Sequence, residues 1–260
     1  MLLALHLPDH AVSAEVTVAG AVVALLFVAG TVWSLIRRRH AASEGRTSGP
    51  AVIGAVAALV FAVQMFNFPL LDGVTSGHVL GATLAVVLLG PALGGLVMAG
   101  VLAVQALLLG DGGLSALGCN TVNMAAAATL ASMLVYRVVA GRRTDLTRRC
   151  LAASIAGWAG SMAAAVACAA ELAVSNVAPA SEVFSSLVAH HAVLGLVEGL
   201  FTAAVVAVAA RSTSERPVWV ARFAPIAAMA VIAAVVVPFS SSRPDGLEHA
   251  LETTARQVAK

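Results

Sequence analysis

Charge is scarce in this chain. Only 11% of its 260 residues are Asp, Glu, Lys or Arg, against roughly 25% in soluble domains, so an ordinary water-soluble fold is excluded. Aromatics make up 5%, with a single tyrosine, and no basic patch is interleaved with them. Nucleic-acid binding therefore has no support, and the net charge of +2 is too small and too concentrated at the ends of apolar runs to suggest it. Three cysteines, Cys119, Cys150 and Cys168, share no CxxC spacing, which argues against both a disulfide framework and a zinc knuckle. No GxxxxGK[ST] loop is present, so the chain cannot be its own ATPase, and without H-E-x-x-H it lacks the signature of a membrane metalloprotease. Residues 1–5 carry no basic region and precede rather than follow arginines, unlike a cleavable signal.

What is present is apolar. Hydrophobic residues make up 60% and mean hydropathy is +0.95, the composition of a multi-pass helical membrane protein set in a lipid bilayer. Runs at about 18–36, 51–66, 78–90, 92–109, 116–139, 151–173, 190–210 and 223–239 predict an all-α bundle of about eight spans. The stretch 78–110 reads as two crossings broken at Gly90-Pro91, because only that division puts Arg142, Arg143, Arg148, Arg149, Arg211, Arg216 and Arg222 on the same side as Arg37, Arg38 and Arg39. Both termini then lie outside the cytoplasm.

That topology collects the polar residues on the external face: His6, Asp9, His10, Asn67, Asp72, His78, Asp111, Asn120, Asn123, His190 and His191. An imidazole at the mouth of a bundle, facing Asp and Asn, suits a borderline divalent cation better than a sugar or an organic anion. Asn120 and Asn123 are three apart and share a helix face, either bonding between helices or supporting a histidine ligand. Asp111, flanked by Gly110, Gly112 and Gly113, reads as turn geometry. Glu198, deep in the seventh span, reads as a packing lock paired with His191. The small-residue series Gly54, Ala58 and Ala62 reads as close intramolecular helix packing.

Several of these strings together resemble the CbiM/NikM family: Phe66-Asn67-Phe68-Pro69, Thr75-Ser76-Gly77-His78-Val79-Leu80-Gly81, the Gly110-to-Gly113 turn, Asn120, Asn123-Met124, and His191 through Gly199. Members are substrate-binding (S) components of energy-coupling factor transporters for cobalt and nickel. The resemblance implies uptake of Co²⁺ or Ni²⁺ as cargo without an organic cofactor, a prokaryotic plasma membrane, and two partners: a T-type transmembrane coupling subunit and a pair of ATPases. It also divides the chain into an N-terminal metal-binding segment (1–17), a membrane domain (18–210) and an accessory-like helix with a tail (223–260). The tail's Pro244-Asp245-Gly246-Leu247-Glu248 is similar to the signature of the small N-type accessory subunit.

The resemblance further implies the ligands. In the family an amine, the next backbone amide and a first imidazole chelate the ion, and a histidine early in the third span completes a nearly square-planar set, which Ni²⁺ favours. His78 matches the second histidine. Leu5-His6-Leu7-Pro8-Asp9 matches the opening motif, but Met1-Leu2-Leu3-Ala4 precede it. Either the mature chain begins at Leu5, which then supplies the amine, or His10 or Asp9 replaces it. Asn67, Asn120, Asn123 and His191 are the expected supporting residues. A ligand-free assembly subunit is the competing reading.

Overall fold

The computed structural model describes residues 5–41, 49–70, 75–142 and 145–211. α1 (Ala14–Ala41) starts after a short extended strap and is apolar for most of its length. Val18, Leu25, Leu26 and Trp33 on it are well exposed, the surface a lipid-facing helix presents. Near its far end the Arg37 guanidinium sits 4.8 Å over the Trp33 ring, a cation–π contact suited to the membrane interface. α2 (Pro50–Gln64) opens on a proline, whose missing N–H costs nothing in a first turn.

Between α2 and the third crossing the chain is not helical. Strands β1 (Phe68–Leu70) and β2 (Thr75–Gly77) pair antiparallel, Phe68 opposite Gly77. The all-α expectation holds apart from this hairpin. Residues 77–81 then enter the bundle without helical structure and are buried, and only Ala82–Leu89 (α3) is helical. Eight helical residues cover about 12 Å, far less than a bilayer core. The expected helical span over 78–90 is thus corrected: residues 78–81 are non-helical, with Gly81 in a left-handed turn at φ +76°, and only Ala82–Leu89 is helical. Irregular backbone at membrane depth survives only when enclosed by protein, and here other helices enclose it.

The break foreseen at Gly90-Pro91 is real. Gly90 has φ +81° and α4 (Pro91–Val104) begins at once, folding back on α3 so closely that a Cβ on Gly94 would lie 2.8 Å from the Ala85 carbonyl carbon. α4 ends in a π-helical turn, Gln105–Leu109. After the glycine loop, α5 (Leu117–Asn120), a second π segment (Thr121–Ala127) and α6 (Ala128–Ala140) form one continuous rod. α7 (Leu146–Val174) is capped by Asp145, whose carboxylate accepts the Arg148 N–H at 3.0 Å. α8 (Ala180–Arg211) closes the bundle against α7.

Among the described residues five helices are long and apolar enough to cross a membrane: Ala14–Arg37, Pro91–Leu109, Leu117–Ala140, Leu146–Val174 and Ala180–Ala210. Pro50–Gln64 is apolar but shorter. The expected span over 223–239 and the Pro-Asp-Gly-Leu-Glu tail lie outside the described residues.

Candidate metal centre

The strap is held in place by burial and by hydrogen bonds to its backbone. Leu5, His6 and Leu7 are all buried, with Leu5 and Leu7 in the core cluster, each leucine worth about 2 kcal/mol of burial. Its backbone is fixed by one side chain from the rod. Asn120 Oδ1 accepts the Leu7 N–H at 2.8 Å, and Asn120 Nδ2 donates to the Leu7 carbonyl at 3.0 Å. The Gly113 N–H adds a bond to the same carbonyl at 2.9 Å. The glycine loop lies against the strap: a Cβ on Gly113 would collide with the Asp9 backbone nitrogen, and one on Gly112 would sit 3.4 Å from the His6 Cβ. Outside, Asp9 Oδ1 accepts from the Ser115 N–H and hydroxyl, both at 2.7 Å. These bonds hold the Asp9 carboxyl below the usual carboxylate range.

This docking brings His6 and His78 together. His6 is 1% exposed and His78 4%, and their ring centroids are 5.5 Å apart at an interplanar angle of 31°. A ring nitrogen about 2 Å from an ion puts its centroid roughly 3 Å from that ion, so two imidazoles on one ion have centroids roughly 4–6 Å apart. Neither His6 ring nitrogen has a hydrogen-bond partner among the described residues. Asp111 Oδ1 lies 3.3 Å from His6 Nδ1, so the residue read as turn geometry also places a buried carboxylate beside the imidazole. His78 Nδ1 is 3.1 Å from the Val79 carbonyl. That carbonyl contact orients the His78 ring beside His6.

The other expected residues divide. Asn67 is buried just before β1. Asn120 orients the strap, whereas Asn123 Nδ2 donates across helices to Glu171 Oε2 at 2.7 Å. His191 Nδ1 bonds the Leu187 carbonyl one turn back, at 2.8 Å, and its ring centroid is 5.5 Å from that of His190. Asp9 and His10 are exposed on the outside of the strap, away from the His6–His78 pair. Among the described residues no three His, Cys, Asp or Glu side chains are grouped to hold an ion by themselves.

Glu198, read as a packing lock with His191, locks a different partner: it accepts the Gly81 N–H, at 3.0 Å and 3.2 Å to its two oxygens. Sequence reasoning missed Gln64, whose Nε2 donates to the Leu80 carbonyl at 2.6 Å. The signal was an isolated polar residue in an apolar helix.

Fold and site define a class: a multi-pass helical membrane protein whose opening segment folds into the bundle and sets two buried imidazoles side by side. Comparison with known proteins narrows this. Residues 6–216 match the CbiM family, described as the cobalt uptake substrate-specific transmembrane region. The chain is 38% identical over 204 residues to a protein of Archaeoglobus fulgidus provisionally named a fused nickel transport protein, NikMN, covering 78% of this chain and 64% of that one. To the cobalt transport protein CbiM of Geobacter sulfurreducens it is 32% identical over 177 residues, covering 66% of this chain and 50% of that one. A crystal structure titled as a transition metal transporter superposes with a TM-score of 0.68 at 26% identity, over 82% of this chain and 96% of the other. The chain belongs to the CbiM family of transition-metal transport proteins. It spans about half to two thirds of the length of the two relatives described above.

Proposed function

We propose that this chain is the substrate-binding component of an energy-coupling factor transporter, capturing Co²⁺ or Ni²⁺ at the extracytoplasmic face of a prokaryotic plasma membrane. The observation that carries the reading is the buried His6–His78 pair, with ring centroids 5.5 Å apart and both His6 nitrogens without a hydrogen-bond partner among the described residues. A six-membered chelate ring joins a His6 backbone amide nitrogen to Nδ1 of its own imidazole through the ion, and His78 supplies a second imidazole. Leu5, buried beside them, supplies the amine if the mature chain begins there. Because Asp9 is tied to Ser115 and His10 faces water, the geometry favours amine over either side chain. Asp111 adds negative charge next to the cation.

Energy comes from separate chains, a T-type coupling subunit and a pair of ATPases, since this sequence has no phosphate-binding loop. Titration calorimetry with Co²⁺ and Ni²⁺ on the wild type, His6→Ala and His78→Ala is the test. Tight binding by the wild type and its loss in both variants is expected. Equal weak binding in all three returns the chain to a ligand-free assembly role. Intact mass of the purified protein decides the amine: a chain starting at Met1 with full affinity rules out Leu5 as its source.

A further inference from the structure

The arm that carries His78 is fastened to α8 by one carboxylate. Glu198 is 2% exposed, and both of its carboxylate oxygens accept the Gly81 N–H, at 3.0 Å and 3.2 Å. That amide lies immediately before α3, so it has no partner within a helix. A carboxylate satisfies it and favours the positive end of the helix. Gly81 has φ +76° and its α carbon faces Val60, which fixes how the arm turns there. Upstream the arm lies flat on α8: a Cβ on Gly77 would sit 2.7 Å from Leu194 and 3.2 Å from His190 Nε2.

α8 is itself a firm reference. A Cβ on Gly157 would lie 2.6 Å from the Gly199 α carbon, and one on Gly195 would lie 2.9 Å from the Trp158 ring, so α7 and α8 touch backbone to backbone on either side of Glu198. The carboxylate is therefore held by a closely packed pair of helices and grips a segment three residues from His78.

We propose that Glu198 is a positioning residue for the captured cation: it fixes the Gly81 amide, three residues from His78, and so holds the His78 ring in register with His6, without touching the ion. The proposal rests on reading that pair as the metal-holding pair. A residue that merely stabilised the fold would leave the geometry of the bound ion unchanged, and this difference is measurable.

Glu198→Gln keeps one acceptor oxygen but turns an amide NH₂ toward that backbone donor. With folding confirmed by helical circular dichroism and monodisperse elution, we expect its Ni²⁺ dissociation constant to rise roughly tenfold to a hundredfold, the range for a lost charge-assisted hydrogen bond. The visible absorption of planar nitrogen-bound Ni²⁺ should weaken in step, and Glu198→Asp should recover part of both. Folded variants with wild-type affinity and spectrum overturn the proposal. A measurement on the wild type stands beside these: saturating Ni²⁺ should slow amide hydrogen exchange in 77–83, and unchanged exchange there also overturns it. If the wild type binds neither metal tightly, the proposed function falls and takes this inference with it; normal wild-type binding with indifferent Glu198 variants sinks this inference alone.

Discussion

Asp111 shows how much depends on a single side chain. Its carboxylate stands 3.3 Å from His6 Nδ1 in a buried setting, where, on the proposed reading, it offsets the charge of an arriving cation. Removing such supporting groups usually costs 10-fold to 100-fold in metal affinity, so Asp111→Asn should weaken Co²⁺ and Ni²⁺ binding by about tenfold in calorimetry while leaving the helices intact. Asp9 behaves differently, because it is exposed. Its carboxyl is held low by two hydrogen bonds from Ser115. A depressed folded-state value means the contribution is present above the unfolded value and lost as pH falls through the folded one. The Ser115 amide should therefore stay protected from exchange at neutral pH and lose protection only on acidification below the ordinary aspartate range, and Asp9→Asn should show the unprotected behaviour at every pH. The two aspartates look alike in sequence. Neighbouring glycines made Asp111 read as a turn, and only the docked strap reveals its second task.

Among the elements, the strap and the glycine loop form one unit. Gly113→Ala drives a methyl into the Asp9 backbone, and overpacking of this kind costs about 1–3 kcal/mol. Thermal unfolding in detergent should begin earlier, and Ni²⁺ affinity should fall, although residue 113 is no ligand. Asn120→Ala should act the same way by freeing both hydrogen bonds to Leu7. The four long crossings after the hairpin were legible from hydropathy because each is a long apolar run bounded by Gly-Pro, glycines, arginines or the Ser175-Asn176 turn before Pro179. The third crossing was not. Residues 78–90 are as apolar as a helix, but their first part is non-helical because Gln64 and Glu198, distant in sequence, supply the hydrogen bonds that a helix would make internally. Hydropathy measures transfer to lipid and says nothing about such partners. The His6–His78 pairing came from family resemblance; spacing alone could not join residues 72 positions apart.

For the whole molecule, the proposed orientation puts strap and glycine loop outside the cell. In a cysteine-free background, Leu114→Cys, at an exposed position, should react with a membrane-impermeant thiol reagent in intact cells. Labelling only after lysis would invert the topology. The assignment of 223–260 as an accessory segment predicts that a chain ending at Arg211 binds Ni²⁺ like the full chain but supports less uptake beside its partners. One feature of the docked strap also governs time. With His6 at 1% exposure and Leu7 bonded by Asn120 and the Gly113 amide, the proposed capture at His6 requires the strap to lift before a hydrated ion can enter. Such gating limits association by a unimolecular step, so in rapid mixing the observed rate should climb with metal concentration and then level off at the frequency with which the strap opens.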